Sequence, residues 1–328
     1  FRVKIKKPTS AVNTRWASLP EGGTAVYPLL LQKHLKASVV PKVQDQVFSR
    51  SWVKHIQESK MLVHSKCTVV DRKYSASPGL SADFAILIGY WFLEYPIRRK
   101  TMNKLTWYGH ATLGLQTDGH QLVIDPFFTD NPAASTTADT VSPDFILVSH
   151  GHGDHVGDTL AIARRTGALV ISNHEIVTWL GKQGLKNVHG QHLGGGHHHP
   201  FGYLKLTLAL HGSMLPDGSY GGNPCGFLLT TNDGKKIYTA QDTGLFGDMR
   251  LIGEEGLDLA VIPIGDNYTM GPDDALRAVK MLEPKHVIPI HYNTFDLLNQ
   301  DAQAWRKRVE AETDTKVVVL NPGQSFEF

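Results

Sequence analysis

At 328 residues the chain exceeds one average domain, so it has room for a sizeable core and a further segment. Its 33 Lys and Arg nearly balance 31 Asp and Glu, and only two cysteines, Cys67 and Cys225, are present. That count excludes a disulfide-stapled secreted scaffold and points to a reducing, cytoplasmic setting. The near-neutral total hides a split: residues 1–101 carry 17 basic and 6 acidic side chains, and the remainder 16 and 25. Basic arms often meet nucleic acid or membrane surfaces. Here the positive residues are scattered, without a basic helix or an aromatic stacking module, and the rest of the chain is acidic. Nucleic acid is therefore not an expected partner.

The first segment shows little organised pattern. It opens on Phe1 and is punctuated by Pro8, Pro20, Pro28, Pro41 and Pro78. Its one strongly apolar run, 84–93, is shorter than the roughly 20 residues that a membrane-spanning helix requires. The run lies far from the start and no small-residue cleavage site follows it, so it does not read as a signal peptide. Regular pattern begins near Met102. The expected division is a basic, poorly ordered or non-native extension over 1–101 and a catalytic domain over 102–328, with Met102 as the native start.

Residues 105–115 and 121–124 read as a hairpin around Thr117-Asp118-Gly119-His120, in which Asp-Gly signals the turn. Asp125-Pro126 ends it, and the Ala/Thr-rich stretch 131–140 reads as a loop. Asp144-Phe145-Ile146-Leu147-Val148-Ser149 is a short apolar run expected as a buried strand. It stops at His150-Gly151-His152-Gly153-Asp154-His155. A histidine-rich surface turn would need no strand before it, whereas this cluster begins where one ends. Imidazoles suit zinc and similar metals, and carboxylates suit a harder or bridging position. Four such ligands in six residues are too many for one ion, and the intervening glycines let the backbone turn tightly.

Residues 158–165 fit a helix ended by Gly167, 168–172 a strand, and 175–183 a helix ended by Gly184. Residues 204–210 alternate with period two and deliver His211; 236–241, in a second hairpin, deliver Asp242; 286–290 deliver His291. Residues 257–264 read as a further strand and 273–282 as a helix opened by Pro272. A last helix is expected over 302–312 and a last strand over 316–320. Hairpins with helices between them, and no simple βαβ alternation, imply an α/β fold of two sheets with helices outside. Cys225 reads as a small buried residue without a partner for nucleophilic catalysis. Gly194-Gly195-Gly196-His197-His198-His199-Pro200 is too short for a purification tag, and His198 and His199 are expected on a solvated loop.

The ordered set His150, His152, Asp154, His155, His211, Asp242 and His291 resembles that of the metallo-β-lactamase fold superfamily. The resemblance lies nearest its small bacterial metal-dependent hydrolases, relatives of N-acyl-phosphatidylethanolamine phospholipase D and ascorbate-phosphate lactonase. Trp107-Tyr108-Gly109-His110-Ala111-Thr112, Val123-Ile124-Asp125-Pro126-Phe127 and Pro289-Ile290-His291-Tyr292-Asn293 fit that branch. So do Gly194-Gly195-Gly196-His197, Pro263-Ile264-Gly265-Asp266-Asn267 and Met270-Gly271-Pro272. The resemblance runs from about residue 102 to the C-terminus and implies an αββα sandwich of two mixed sheets. It further implies two divalent cations, zinc first, with manganese or iron as alternatives. His150, His152 and His211 would hold one ion, Asp154, His155 and His291 the other, and Asp242 would bridge them.

The implied reaction is hydrolysis of an ester, lactone or phosphodiester bond in a small molecule, with metal-activated water as nucleophile. Asp154, Asp242 and His110 are the expected catalytic residues. His110 is expected in the first strand, either hydrogen-bonding a ligand or substrate or resting as a satisfied core residue. Asp125 is expected to orient a ligating histidine. His197 is expected at the rim of the site. Phe127, Phe128, Tyr268, Met270, Tyr292 and Phe295 are candidates for pocket walls, though such side chains more often belong to the core. One departure stands out: the resembled family usually has a small residue, often Gly, before the bridging Asp, and this chain has Gln241. Its longer side chain either crowds the site or adds an amide hydrogen bond. The rivals are an iron-dependent redox enzyme on the same fold and a non-catalytic metal-binding scaffold. No flavin-binding region stands in 102–328, and the complete ligand set speaks against the scaffold. A homo-oligomer is compatible with the sequence.

Overall fold

The computed structural model describes residues 102–328. The expectations for segment 1–101, including its apolar run, lie outside the described residues. In chain order the strands and helices are β1 (Lys104–Gly109), β2 (Thr112–Thr117), β3 (His120–Ile124), β4 (Phe145–Leu147), α1 (Gly153–Val156), α2 (Thr159–Thr166) and β5 (Leu169–Asn173). Next come α3 (His174–Lys182), β6 (Val188–Gln191), β7 (Gly196–His199), β8 (Gly202–Leu208), β9 (Cys225–Thr231), β10 (Lys236–Thr239) and α4 (Met249–Gly253). The chain finishes with β11 (Leu259–Pro263), α5 (Pro272–Leu282), β12 (His286–Ile290), α6 (Ala302–Glu312), β13 (Lys316–Val317) and β14 (Ser325–Glu327).

These strands form two seven-stranded mixed sheets, ordered β14-β1-β2-β3-β4-β5-β6 and β13-β12-β11-β10-β9-β8-β7. In β1 every second residue is buried, the signature of a strand with one covered face. In β11 all five residues are buried, as expected of a parallel strand covered on both faces. Leu105, Leu113, Leu122, Leu204, Phe227 and Val261 belong to the core shared by the sheets. Ile162, Ile176 and Leu180 seat α2 and α3 against the outer side of the first sheet. Ala278, Val279, Trp305 and Val309 seat α5 and α6 on the second. The result is the αββα sandwich. Asn173 caps α3 by accepting the Ile176 N–H, and Asp301 caps α6 by accepting from Gln303 and Ala304.

Three local expectations need correction. The stretch 105–115 is not one strand: the chain turns at Gly109-His110-Ala111, with φ of 112° at Gly109 and 54° at His110, dividing β1 from β2. The expected last strand shrinks to Lys316–Val317, and a further strand, β14, returns to pair with β1. Residues 196–199 are a strand rather than a solvated loop, because Gly202 (φ 140°) admits a hairpin with β8, and His199 is buried. Only Gly fits at 202, since a Cβ there would strike the Thr230 carbonyl.

The Asp118-Gly119 turn joins β2 to β3 with both residues at positive φ, as two-residue hairpins require. It also meets the other sheet, where Asn232 Nδ2 donates to Asp118 Oδ2 (2.6 Å) and to the Pro200 carbonyl (2.7 Å). Among the described residues, no helix is long and apolar enough to cross a membrane. A protein beginning at Met102 is expected to melt at the temperature of the full chain. Parallel thermal melts check this, and aggregation or a drop of several degrees in the shorter protein would make part of 1–101 integral to the fold.

Candidate metal centre

The strand directions gather the polar residues at one edge. β3, β4 and β5 run parallel, and β8, β10, β11 and β12 share one direction in the second sheet. The carboxyl ends of β3 and β4 lead to Asp125 and to the segment His150–His155, and those of β8, β10 and β12 lead to His211, Asp242 and His291. All seven expected ligands therefore meet. The tight-turn role expected of the glycines holds only in part. Residues 153–156 form a helical turn, and Gly153 has open space around it. At Gly151 a Cβ would lie 3.1 Å from the Met214–Leu215 backbone, a tight approach that favours glycine.

Three imidazole nitrogens converge at one point. His152 Nδ1 lies 3.0 Å from His150 Nε2 and 3.2 Å from His211 Nε2. Such spacing suits three nitrogens around one cation bound at about 2.0–2.1 Å. A second group unites Asp154, His155, His291 and His110. Between the groups lies Asp242, whose Oδ2 is 3.0 Å from His291 Nε2, 3.3 Å from His155 Nε2 and 3.6 Å from His211 Nε2. His155 Nε2 and Asp242 Oδ1 are buried and make no hydrogen bond. Buried polar atoms are rarely left so, and here a cation would satisfy both. The donor set fits two metal ions.

Behind these groups stands Asp125. Its Oδ2 accepts from His155 Nδ1 (2.7 Å), Ser149 Oγ (2.5 Å) and Gln241 Nε2 (2.5 Å), and its Oδ1 accepts the Ser149 N–H (2.7 Å). With Nδ1–H held in this way, His155 presents Nε2 to the centre. Gln241 does not crowd the site. It takes the left-handed φ of 51° that glycine would tolerate more easily, and its amide also donates to the Ala111 carbonyl at 3.2 Å.

His110 is fully buried at the β1–β2 turn. A carboxylate only accepts, so Nε2 carries the hydrogen donated to Asp154 Oδ2 at 3.2 Å, and Nδ1 accepts the Thr294 hydroxyl at 3.0 Å. His110 thus positions Asp154. Its backbone carbonyl accepts the N–H of His291, joining two site residues directly. Ser149 and Thr294 had no task in the sequence reading, and of the two alternatives for Gln241 the structure shows the amide hydrogen bond. Only Gln241 carried a signal, as a departure from a usual glycine. His197 is not at the rim: β7 pairs with the starting end of β8, away from His211. Of the suggested pocket walls, Phe127, Phe128, Met270 and Tyr292 are core, while Tyr268 and Phe295 are exposed. Cys225 is a buried free thiol whose ionisation burial suppresses.

Charge is distributed unevenly. Burial pushes His110 down to about 4 and holds His150 well below the ordinary histidine value. Burial opposes the charge of Asp242, but His155 and His291 outweigh it and keep that carboxyl well below the usual range. Burial also opposes the charge of Asp154, but the His110 hydrogen bond together with the His155 and His110 rings outweighs it and keeps that carboxyl below the usual range. His155 moves the other way: burial disfavours its cation, yet Asp242 and Asp125 raise it well above the ordinary value.

A family profile described as a beta-lactamase superfamily domain matches residues 104–291. A UPF0173 metal-dependent hydrolase of Pelotomaculum thermopropionicum is 51% identical over 230 residues, covering 68% of this chain and 99% of that protein. The chain belongs to the metallo-β-lactamase superfamily of metal-dependent hydrolases. A superfamily relative from Thermus thermophilus, also named a UPF0173 metal-dependent hydrolase, is 48% identical over 224 residues, covering 68% of this chain and 98% of its own. Among solved structures, Igni18, described as a novel metallo hydrolase from Ignicoccus hospitalis, is 38% identical. It aligns with a TM-score of 0.64 over 70% of this chain and 99% of that one.

Two outcomes are expected. Asp125→Asn leaves His155 less firmly oriented and should lower metal affinity by about 10–100-fold, measurable by equilibrium dialysis against buffered zinc. His155, with its raised pKa, carries a proton at neutral pH that a cation at Nε2 must displace. Metal loading should therefore release a proton, and affinity should rise with pH until that raised pKa is passed. Calorimetric titrations in buffers of different ionisation enthalpy measure the release, and its absence would contradict this charge state.

Proposed function

We propose that this chain hydrolyses an ester, lactone or phosphodiester bond of a small molecule at a two-metal centre, with zinc as the favoured ion and manganese or iron as alternatives. The observation that carries the reading is the position of Asp242 between two groups of donors, each sized for one cation. Divalent cations bound there would lower the pKa of water and polarise the oxygen of the scissile bond. His150, His152 and His211 would hold one ion; Asp154, His155 and His291 would hold the other; Asp242 would serve both.

The remaining work falls to the protein's own side chains. Asp125 holds the His155 ring and keeps its Nδ1 protonated, while His110 holds the Asp154 carboxylate. Exposed apolar side chains flank the ligands: Leu210 precedes His211, Met214 follows it, and Phe295 lies edge-on to His110 at 5.8 Å. Tyr268 and Leu297 are exposed on the loops after β11 and β12. A rim of this kind favours a substrate with an apolar portion beside its scissile bond. The reading places every catalytic group in residues 102–328 and none in 1–101.

Metal-loaded protein is expected to contain two ions per chain and to turn over at least one class in a panel of lactones, esters, thioesters and phosphodiesters. Elemental analysis and the panel test the two halves of the reading separately. Asp242→Ala should lose metal occupancy and all hydrolysis while remaining folded. One ion per chain under metal excess, or full activity in Asp242→Ala, would overturn the assignment.

A further inference from the structure

A second group of imidazoles lies apart from the centre described above. His189 belongs to β6, the outer strand of the first sheet, and His197 and His199 to β7, the outer strand of the second. β6 and β7 belong to different sheets and are joined by residues 192–195. His197 and His199 share one face of β7 because alternate residues of a strand point the same way. The ring centroids are 4.5 Å apart for His189 and His197, 5.0 Å for His189 and His199, and 4.8 Å for His197 and His199. One nitrogen from each ring lies within 4.8 Å of the other two. β7 pairs with the end of β8 opposite His211. At about 3.3 Å per residue, roughly 20 Å of chain separates this group from His211.

One ring of the three is already held as a ligand would be. Gln191 Nε2 donates to the Leu204 carbonyl at 3.1 Å and the Gly195 carbonyl at 3.4 Å, which turns its Oε1 toward His199 Nε2 at 3.2 Å. Oε1 only accepts, so His199 carries its hydrogen on Nε2 and keeps the Nδ1 lone pair free. A hydrogen bond to the remote nitrogen is how ligating histidines are usually fixed in tautomer and direction. His199 is buried, His189 half-buried and His197 exposed, so the group has a rigid base and a side open to solvent. Burial, with the neighbouring rings, pushes His199 down to about 4, which leaves it neutral at pH 7.

We propose that His189, His197 and His199 bind one transition-metal ion, zinc being well matched to three imidazole nitrogens, and that this ion fastens the outer strands of the two sheets to each other. The fourth tetrahedral position faces solvent and is open to water. No group near it is proposed to do chemistry, and the role is that of a clamp.

The test uses the full chain without a histidine tag, titrated with zinc beside the His189→Ala/His197→Ala double variant. Both substitutions lie outside the two-metal centre and leave the buried His199–Gln191 pair in place. The wild-type protein is expected to bind one zinc more per chain than the variant and to gain more in melting temperature on zinc addition. Cobalt(II) substitution should add visible bands of a nitrogen-rich, four-coordinate ion that the variant lacks. His197→Gln alone, at an exposed position, should also lose that ion, which guards against a folding defect in the double variant. Equal zinc counts in wild type and both variants would overturn the proposal, and so would identical zinc-dependent melting. Because the comparison counts ions at residues outside the two-metal centre, its outcome is independent of whether that centre hydrolyses anything.

Discussion

The site depends on a single buried negative charge. Asp125 is fully enclosed, and a carboxylate so placed is costly unless its lone pairs are occupied by donors. Four donors occupy them, supplied by the Ser149 backbone and hydroxyl, the His155 ring and the Gln241 amide. Ser149 and His155 follow β4 in the first sheet, and Gln241 follows β10 in the second. Satisfying one carboxylate therefore pins strand ends from both sheets. Asp242, one residue after Gln241, and His155 are brought to 3.3 Å as a consequence.

The same arrangement explains the backbone strain. His110, Asp125, Gln241 and His291 all sit at φ between 46° and 57°, a region that side-chain-bearing residues rarely occupy. Each lies just past the end of a strand. Strain of this kind persists when surrounding contacts over-determine it. Here those contacts are the Asp125 network and the bond from the His291 N–H to the His110 carbonyl. Gly265 adds a packing requirement, since any Cβ there would collide with the His291 carbonyl.

The gathering of these histidines and aspartates was legible in the sequence because they follow short apolar runs, and strand ends of one direction must share an edge. The order of motifs was equally legible, and the four longer helices fell within a residue or two because Asn173, Gly167, Pro272 and Asp301 mark their ends locally, while the short α1 and α4 were not anticipated. The turn at His110 left no such mark, since a left-handed histidine is imposed by what surrounds it. β14 was invisible because three residues, Ser325–Glu327, carry no periodicity. His198 and His199 read as polar and hence solvated, and His197 as part of the site's rim. Strand alternation and the hairpin allowed by Gly202 turn the His199 ring inward, and neither can be seen in three identical letters.

The Asn232 clasp joins the two sheets at the end remote from the ligands, and it needs no ion. The sandwich is thus fastened by amide and carbonyl groups at its base, while its mouth is lined by imidazoles and carboxylates that lack some of their partners. The base is therefore closed without any cation, and the partners missing at the mouth are ones that bound cations would supply.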